Sequence, residues 1–476
     1  MTRGRMRMRA SGKRDKMPAV CLRPTEEQIK NALDTTYLMC HASDMVARVV
    51  LSNDRQEREA QILLDQIKDA LSSDAAFDAL AQGLPQGSLA ALRRSLRSEH
   101  DELQSSITAY LNAKSGEVGE MLDRAGADIG EKLIAARLAR NWTQKELARR
   151  LFLPEQQIQR YEAEKYQTIN LKSLTRVART LGVRLEANVS GRIDDMWLPQ
   201  TEMSQKELQK VLSHARKYEW ISSKSKSDES GANYLRRAVA EHVSDYGTPS
   251  LFRTGLNVHD VANDWLLLSW KAQVARKSAA LAAKNLGRFR LTELSWVRDV
   301  VRSSSKPHGP LLARDILLEN GVAMVVEPAP PGMNVDGAAF LHNDVPVIGL
   351  TLRQDREDNF WFTLLHEIGH VILHHRTGLS AGFFDDTEGQ TLDDVEDEAN
   401  VFAQEMLAPA EIWERSPARI SKKPEPIEAL AKKLSISPAI LFGRARRERN
   451  DYRLFSAKVG QGKVRREFEE FKKHHD

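Results

Sequence analysis

The sequence predicts a multidomain, mainly α chain: a helical N-terminal module and further short helices, then an α+β domain with a small sheet. Three observations carry this. Apolar residues recur three and four apart over most of the stretch from Thr25 to Val301, the period of an amphipathic helix. Strand-like, Val-rich segments are confined to Val322 through Leu350. Polar, Ser-rich breaks at Ser222–Gly231 and Ser303–Gly309 divide a chain of 476 residues, more than one core usually organises.

Composition narrows the class. Hydrophobic residues make up 41% and charged residues 29%, which suits a soluble globular chain and excludes fibrous or largely disordered ones. Only Cys21 and Cys40 are present, so neither a disulfide framework nor a cysteine metal site is expected, and a reducing cytoplasm fits best. Met1–Lys16 is basic but lacks the apolar run of a signal peptide, and Met17 is an alternative start. The most apolar run, Trp265–Trp270, is too short to cross a bilayer, so no membrane partner is expected. Net charge is only +4, but residues 128–192 hold 13 Lys and Arg against 7 Asp and Glu, and residues 385–398 hold eight acids and no base.

In chain order, residues 1–25 read as a disordered basic tail and 26–126 as a helical module, with apolar faces at Leu63, Leu64, Ile67, Leu71 and at Leu89, Leu92, Leu96, broken at Gly83–Gly87. Residues 127–192 read as short helices, 193–302 as a helical connector, and 303–476 as the C-terminal domain. There a helix over Leu311–Glu319 stops at Asn320-Gly321, Val322–Val326 reads as a strand, and Gly337–His342 and Val345–Leu350 form a hairpin across Asn343-Asp344. A following helix is expected from about Asp358-Asn359, both competent N-caps, to about His375.

That helix carries His366-Glu367-Ile368-Gly369-His370. Residues four apart on a helix share a face, so the two imidazoles can grip one ion, and Glu367 beside the first can take a proton from a bound water. Two histidines and an open position suit a catalytic zinc. His374 lies about 12 Å beyond His366 on an unbroken helix, too far to share the ion. A third ligand is read in Glu396, with Asn400 on the same face hydrogen-bonding a ligand histidine, and Glu398 stands as the alternate ligand. An extended peptide is expected to pair with a strand edge such as Ala338–His342, and His342 and His374 are candidates for stabilising the oxyanion.

With Glu396, Ala399-Asn400, Phe402-Ala403 and Leu407-Ala408-Pro409, the motif resembles the ImmA/IrrE family of bacterial and phage metallopeptidases, over about Pro310–Gln461. The resemblance implies a zincin-like, gluzincin-type domain with Zn2+ on His366, His370 and Glu396, and Glu367 as catalytic acid and base. It also implies a protein substrate of the repressor or antitoxin kind. Ala408 departs from the Met or Leu that often precedes the proline.

Upstream, Thr143 and Glu146 form a capping box on a short helix, and a second helix starts at Pro154 with Gln156, Gln157, Gln159 and Arg160 in its first turns, side chains suited to base edges and phosphates. Thr143-Gln144-Lys145-Glu146-Leu147-Ala148 resembles the Xre-type helix-turn-helix of lambda-repressor-like proteins over about Gly130–Val189, with Gln144 among the DNA-binding residues it implies. Phe152 stands where a small residue usually allows the turn.

The leading reading is a cytoplasmic zinc-dependent site-specific endopeptidase and DNA-binding regulator that cleaves or controls a repressor or partner protein in a stress, mobile-element or phage-related response. Its expected partners are operator DNA and a protein substrate, with a homodimer also open. The alternatives are a non-proteolytic transcriptional regulator and one half of a toxin–antitoxin or phage-defence pair.

Overall fold

Helix α1, Asp54–Leu71, starts where the Asn53 side chain accepts hydrogen bonds from the backbone N–H groups of Arg55 and Gln56, and it buries Ala60, Leu64, Ile67 and Ala70. The chain is described here by a computed structural model over residues 50–125, 128–185, 205–221, 231–235, 238–239, 251–252, 261–376, 379 and 392–472. The expected basic tail, Cys21, Cys40 and the Ser-rich linker at 222–230 lie outside the described residues. By its contacts the chain divides at Asp44, and residues 45–476 form one unit.

After α2, Asp74–Leu80, and the Gly83–Gly87 break, α3 runs from Leu89 to Ser115 and ends on Gly116 at φ 102°, a conformation that suits glycine. Helix α4, Gly119–Ala125, closes this module. Four short helices follow: α5, Ile129–Leu138; α6, Gln144–Leu151; α7, Glu155–Ala163; and α8, Leu171–Thr180. Then come α9, Gln205–Lys217, the two-residue strand β1, Leu251–Phe252, and the long α10, Val261–Asn285.

The C-terminal part begins with α11, Trp296–Ser303, and α12, Gly309–Glu319, followed by β2, Ala323–Val326, β3, Gly337–His342, and β4, Val345–Leu350. The sheet order is β1-β3-β4-β2, with β3 antiparallel to both β1 and β4, and β2 parallel to β4. Asn343 and Asp344 sit at φ 52° and 60°, the left-handed pair of a type I′ turn that the Asn-Asp dipeptide tolerates. Helices α13, Glu357–Leu373, α14, Leu392–Leu407, α15, Ala410–Glu414, α16, Glu425–Leu434, and α17, Pro438–Glu448, complete the ordered elements used below.

Side chains alternate across the sheet, so each face feeds a different core. Met324, Val326, Ala339, Leu341, Ile348 and Leu350 join the cluster that holds α13 and continues into the N-terminal helices. Ala323, Val325, Ala338, Phe340 and Val347 face α9 and α10 through Leu212, Trp220, Leu266 and Trp270. A sheet covered on both faces explains why these strands read as near-continuous apolar runs. At its end the fully buried Glu327 accepts a 2.7 Å hydrogen bond from Trp220 Nε1 and pairs with Lys277, which pins the connector helices to the strands.

The N-terminal module is tied to the motif helix by a buried ion pair: just past α13, Arg376 Nε donates to Glu99 Oε2 of α3 at 2.6 Å. Burial pulls the Glu99 carboxyl upward, but Arg376 outweighs it and holds the group below its ordinary value of 4.5. A carboxylate depressed on folding contributes stability that is present above its unfolded pKa and lost as pH falls through the folded one. Glu99→Gln is therefore expected to cost about 3 kcal/mol near pH 7, because it leaves Arg376 buried without its counter-charge. It should also flatten the decline of stability below about pH 4.5, where this carboxyl protonates in the unfolded chain before it does in the folded one. Denaturant unfolding of the full chain at several pH values reads both effects.

Candidate functional site

Helix α13 begins two residues earlier than an Asp358 cap would place it. Arg356 is its N-cap and makes no side-chain cap bond, while Asp358 is occupied by the Arg356 guanidinium at 2.9 and 3.1 Å. The helix ends at Leu373, with His374 as C-cap. Its apolar frame buries it from Phe360 onward: His366, Glu367 and His370 each have 0% exposure.

Helix α14 lies across α13, and Gly369 lets it come close. A Cβ at Gly369 would stand 3.2 Å from Phe402 Cδ1 and 3.3 Å from Ala399 Cα, so small residues on both helices set the separation. This approach brings the Glu396 carboxylate to the two imidazoles. His366 Nε2 and His370 Nε2 are 3.0 Å apart, Glu396 Oε2 is 3.3 Å from the first, and Oε1 is 3.4 Å from the second. Among the described residues, this trio is the one set of His, Cys, Asp and Glu side chains whose donor atoms converge as a metal site requires.

The donors fit a zinc-sized cation. Tetrahedral bonds of about 2.0 to 2.1 Å place neighbouring ligand atoms about 3.3 Å apart, close to all three separations. Asn400 Oδ1 lies 3.1 Å from His366 Nδ1 and accepts its proton, which leaves the Nε2 lone pair facing the other two donors. Burial raises the Glu396 carboxyl, but hydrogen bonds from His366 and His370 outweigh it and bring it down to about 2, so an anion faces the imidazoles. The Glu396 side chain is 21% exposed, against none for the histidines, so the trio opens to solvent on that side.

Glu398, the alternate ligand in the sequence reading, lies apart from the trio. Its Oε1 is 2.6 Å from Arg94 Nη2 of α3, and its Oε2 is 3.5 Å from His374 Nε2. His374 is driven well below the ordinary histidine value by burial and then by neighbouring His370, and burial alone brings His342 to about 4, so both rings are neutral.

One expectation is corrected. The edge of β3 proposed for an extended peptide already carries partners from the same chain: Leu251 and Phe252 pair with Ala339 and Ala338, and Leu341 N donates to Leu379 O at 3.3 Å. A residue that the sequence did not single out is Gly337, at the start of β3. A Cβ there would stand 2.7 Å from Glu367 Oε1, so the strand approaches the motif glutamate in a way only glycine permits. The isolated glycine before a strand was the available signal.

In the helix-turn-helix region, Thr143 Oγ1 caps α6 by accepting from Glu146 N, but the Glu146 side chain pairs with Arg149 and Arg150 and does not return to Thr143, so only half of the capping box forms. Phe152 takes the turn at φ 53° and is 90% exposed, so the turn closes without a glycine. Glu162 is buried under Arg137, whose Nε donates to it at 2.6 Å. Gln144 also donates to Glu162, at 2.8 Å, and Gln157 Nε2 meets Tyr161 Oη at 2.5 Å, so both glutamines are engaged within the fold. Gln156, Gln159 and Arg160 are exposed on α7.

Comparison with known families agrees with this layout. Residues 133–188 match the helix-turn-helix family, and residues 323–444 match the IrrE N-terminal-like domain of peptidase family M78. The expected fusion of these two modules is thus borne out, in a multidomain, mainly α chain with a small sheet. No curated protein and no solved structure matches the chain significantly. No described helix is long and apolar enough to cross a membrane.

Proposed function

We propose that this chain, with its helix-turn-helix segment ahead of an IrrE N-terminal-like domain, is a zinc-dependent endopeptidase that also binds DNA and acts on a repressor-like protein partner. The observation that carries the reading is the convergence of His366 Nε2, His370 Nε2 and the Glu396 carboxylate within 3.0–3.4 Å, with the motif glutamate beside them. His366, His370 and Glu396 would hold the zinc ion, which when bound would supply a Lewis acid for a peptide carbonyl and for the attacking water. Glu367 then accepts a proton from the attacking water and returns it to the leaving amine. Asn400 holds the His366 ring in the tautomer that presents Nε2, and Gly337 keeps β3 against Glu367. Elemental analysis of the purified full chain tests the premise: about one zinc per chain is expected, and none would remove the peptidase reading.

Operator binding is assigned to α7, through exposed Gln156, Gln159 and Arg160. The engaged side chains of Gln144 and Gln157 make them supports of that surface in this reading. Arg160→Ala is expected to weaken binding at all sequences and to lower the slope of log affinity against log salt by about 1, the signature of a lost phosphate contact. Titration of duplex DNA at several salt concentrations measures it, and an unchanged slope with sequence-selective loss would move Arg160 to base readout.

A second reading, a regulator that senses without turnover, is favoured by the self-pairing of the β3 edge, which leaves less of that edge for a peptide.

A further inference from the structure

A cavity of about 230 Å³ lies between the N-terminal end of α13, the C-terminal end of α14 and α17. Arg356, Arg444, Arg446 and Arg447 line it, against a single lining carboxylate, Asp358. Two of the four arginines are already committed: Arg356 holds Asp358 with two hydrogen bonds, and Arg444 pairs with Glu448 at 3.1 Å and donates to the Ala408 carbonyl. The other two are not neutralised. Arg446 is 7% exposed and donates to Tyr452 O, while its buried Nε has no hydrogen-bond partner among the described residues. Arg447 Cζ lies over the Phe362 ring, 4.2 Å from its centroid, and has no carboxylate within ion-pair distance among the described residues. Desolvation, and then neighbouring Arg444, push the Arg447 guanidinium down from its ordinary value, and the more distant Asp358 and Glu448 carboxylates do not offset them.

The position of the cavity suggests its occupant. Phe362 is one helical turn before His366, and their rings are stacked at 6.5 Å between centroids; Gln404 is one turn beyond Asn400. Arg447 is thus one aromatic ring away from a histidine of the metal trio. That span is covered by about three residues of extended peptide. The wall is also preorganised: Gly443 lets α17 close onto α13, since a Cβ there would stand 2.4 Å from Asp358 Oδ2. Arg446 is buried and Arg447, stacked on Phe362, is exposed at the rim; guanidiniums placed so in a concave site recognise a carboxylate through paired N–H donors.

We infer that this arginine-lined cavity is a specificity subsite that receives an acidic side chain of the peptide substrate, two or three residues from the scissile bond. The inference rests on the peptidase reading for its role and on the cavity for its chemistry. A peptide carboxylate is favoured over a free anion because the cavity adjoins the candidate centre through Phe362 and Gln404.

The test measures binding without turnover, using the full chain carrying Glu367→Gln, metal-free and zinc-loaded. Terminally blocked, labelled dodecapeptides of alternating Ala and Glu are compared with their Ala/Gln counterparts by fluorescence anisotropy at 0.15 M salt, a condition that screens distant surface charge. The Glu peptide is expected to bind at least about tenfold more tightly, and Arg447→Glu, at an exposed position, is expected to reduce the difference to under about threefold. Arg415→Glu, just past the end of α15 and an equal charge change outside the cavity lining, should leave the difference intact. Equal binding of the two peptides, or equal damage from Arg415→Glu, overturns the inference. Inorganic phosphate that displaces the Glu peptide in an Arg447-dependent way would make this a small-anion site and overturn it as well. A chain that binds no zinc yet discriminates the peptides through Arg447 sustains the peptide-carboxylate site while removing the peptidase reading, so the two failures are separable.

Discussion

Glu367→Gln is expected to leave zinc content at the wild-type level and to lower cleavage of the physiological substrate by about 10²- to 10⁴-fold, the range assigned to a positioned general acid–base group. The amide keeps the shape of the side chain, and His366, His370 and Glu396 retain their separations of 3.0–3.4 Å, so ion binding should survive. What is lost is an acceptor for the proton of the attacking water. Binding to operator DNA should also survive, because the exposed side chains of α7 are not part of the metal trio and an isosteric amide at Glu367 leaves the packing of α13 unchanged. The measurement is elemental analysis together with cleavage or reporter output in cells carrying the variant. Wild-type function from a zinc-loaded Glu367→Gln chain would sink the peptidase reading and leave the non-proteolytic regulator in its place.

The second large effect is expected at the third ligand. Glu396→Ala removes the only carboxylate of the trio and leaves two imidazoles 3.0 Å apart, so zinc affinity should fall by more than about a hundredfold, beyond the loss usual for an outer-sphere partner. Asn400→Ala acts one step further out. It leaves three donors in place but frees the His366 ring to present the wrong tautomer, and a loss of about 10- to 100-fold is expected. Glu398→Ala should retain wild-type zinc, since its carboxylate is turned to Arg94 and His374. Dialysis against graded chelator followed by elemental analysis orders the four proteins. Zinc loss in Glu398→Ala with retention in Glu396→Ala would reverse the assignment of the third ligand.

Much of this protein is legible in its sequence, because it depends on neighbours along the chain. The four-residue spacing of His366 and His370 is enough to put both rings on one helix face, and the apolar residues around them predict a buried helix. The bounds of β3 and β4 followed from two apolar runs joined by Asn343-Asp344, a dipeptide that accepts left-handed backbone. Thr143 capped α6 because a cap is a bond between residues three apart.

Other features required segments far apart in sequence to meet, and no local pattern reports that distance. Glu396 and Glu398 differ by two positions on one helix, and only the packing of α14 against Gly369 and of α3 against Glu398 turns the first toward the histidines and the second toward Arg94. The edge of β3 read as free until Leu251–Phe252, more than eighty residues upstream, paired with it. The helix-turn-helix resemblance implies Gln144 as a DNA contact, and no local pattern shows that its side chain also donates to the buried Glu162 of α7. Arg444, Arg446 and Arg447 come to line a cavity beside Phe362 only because Gly443 allows α17 to close onto α13. The sequence by itself determined what each helix and strand could offer, since backbone periodicity and capping are short-range. Tertiary structure alone decided which offers are taken up, because a buried polar group takes its partner from whatever packing brings within hydrogen-bond reach.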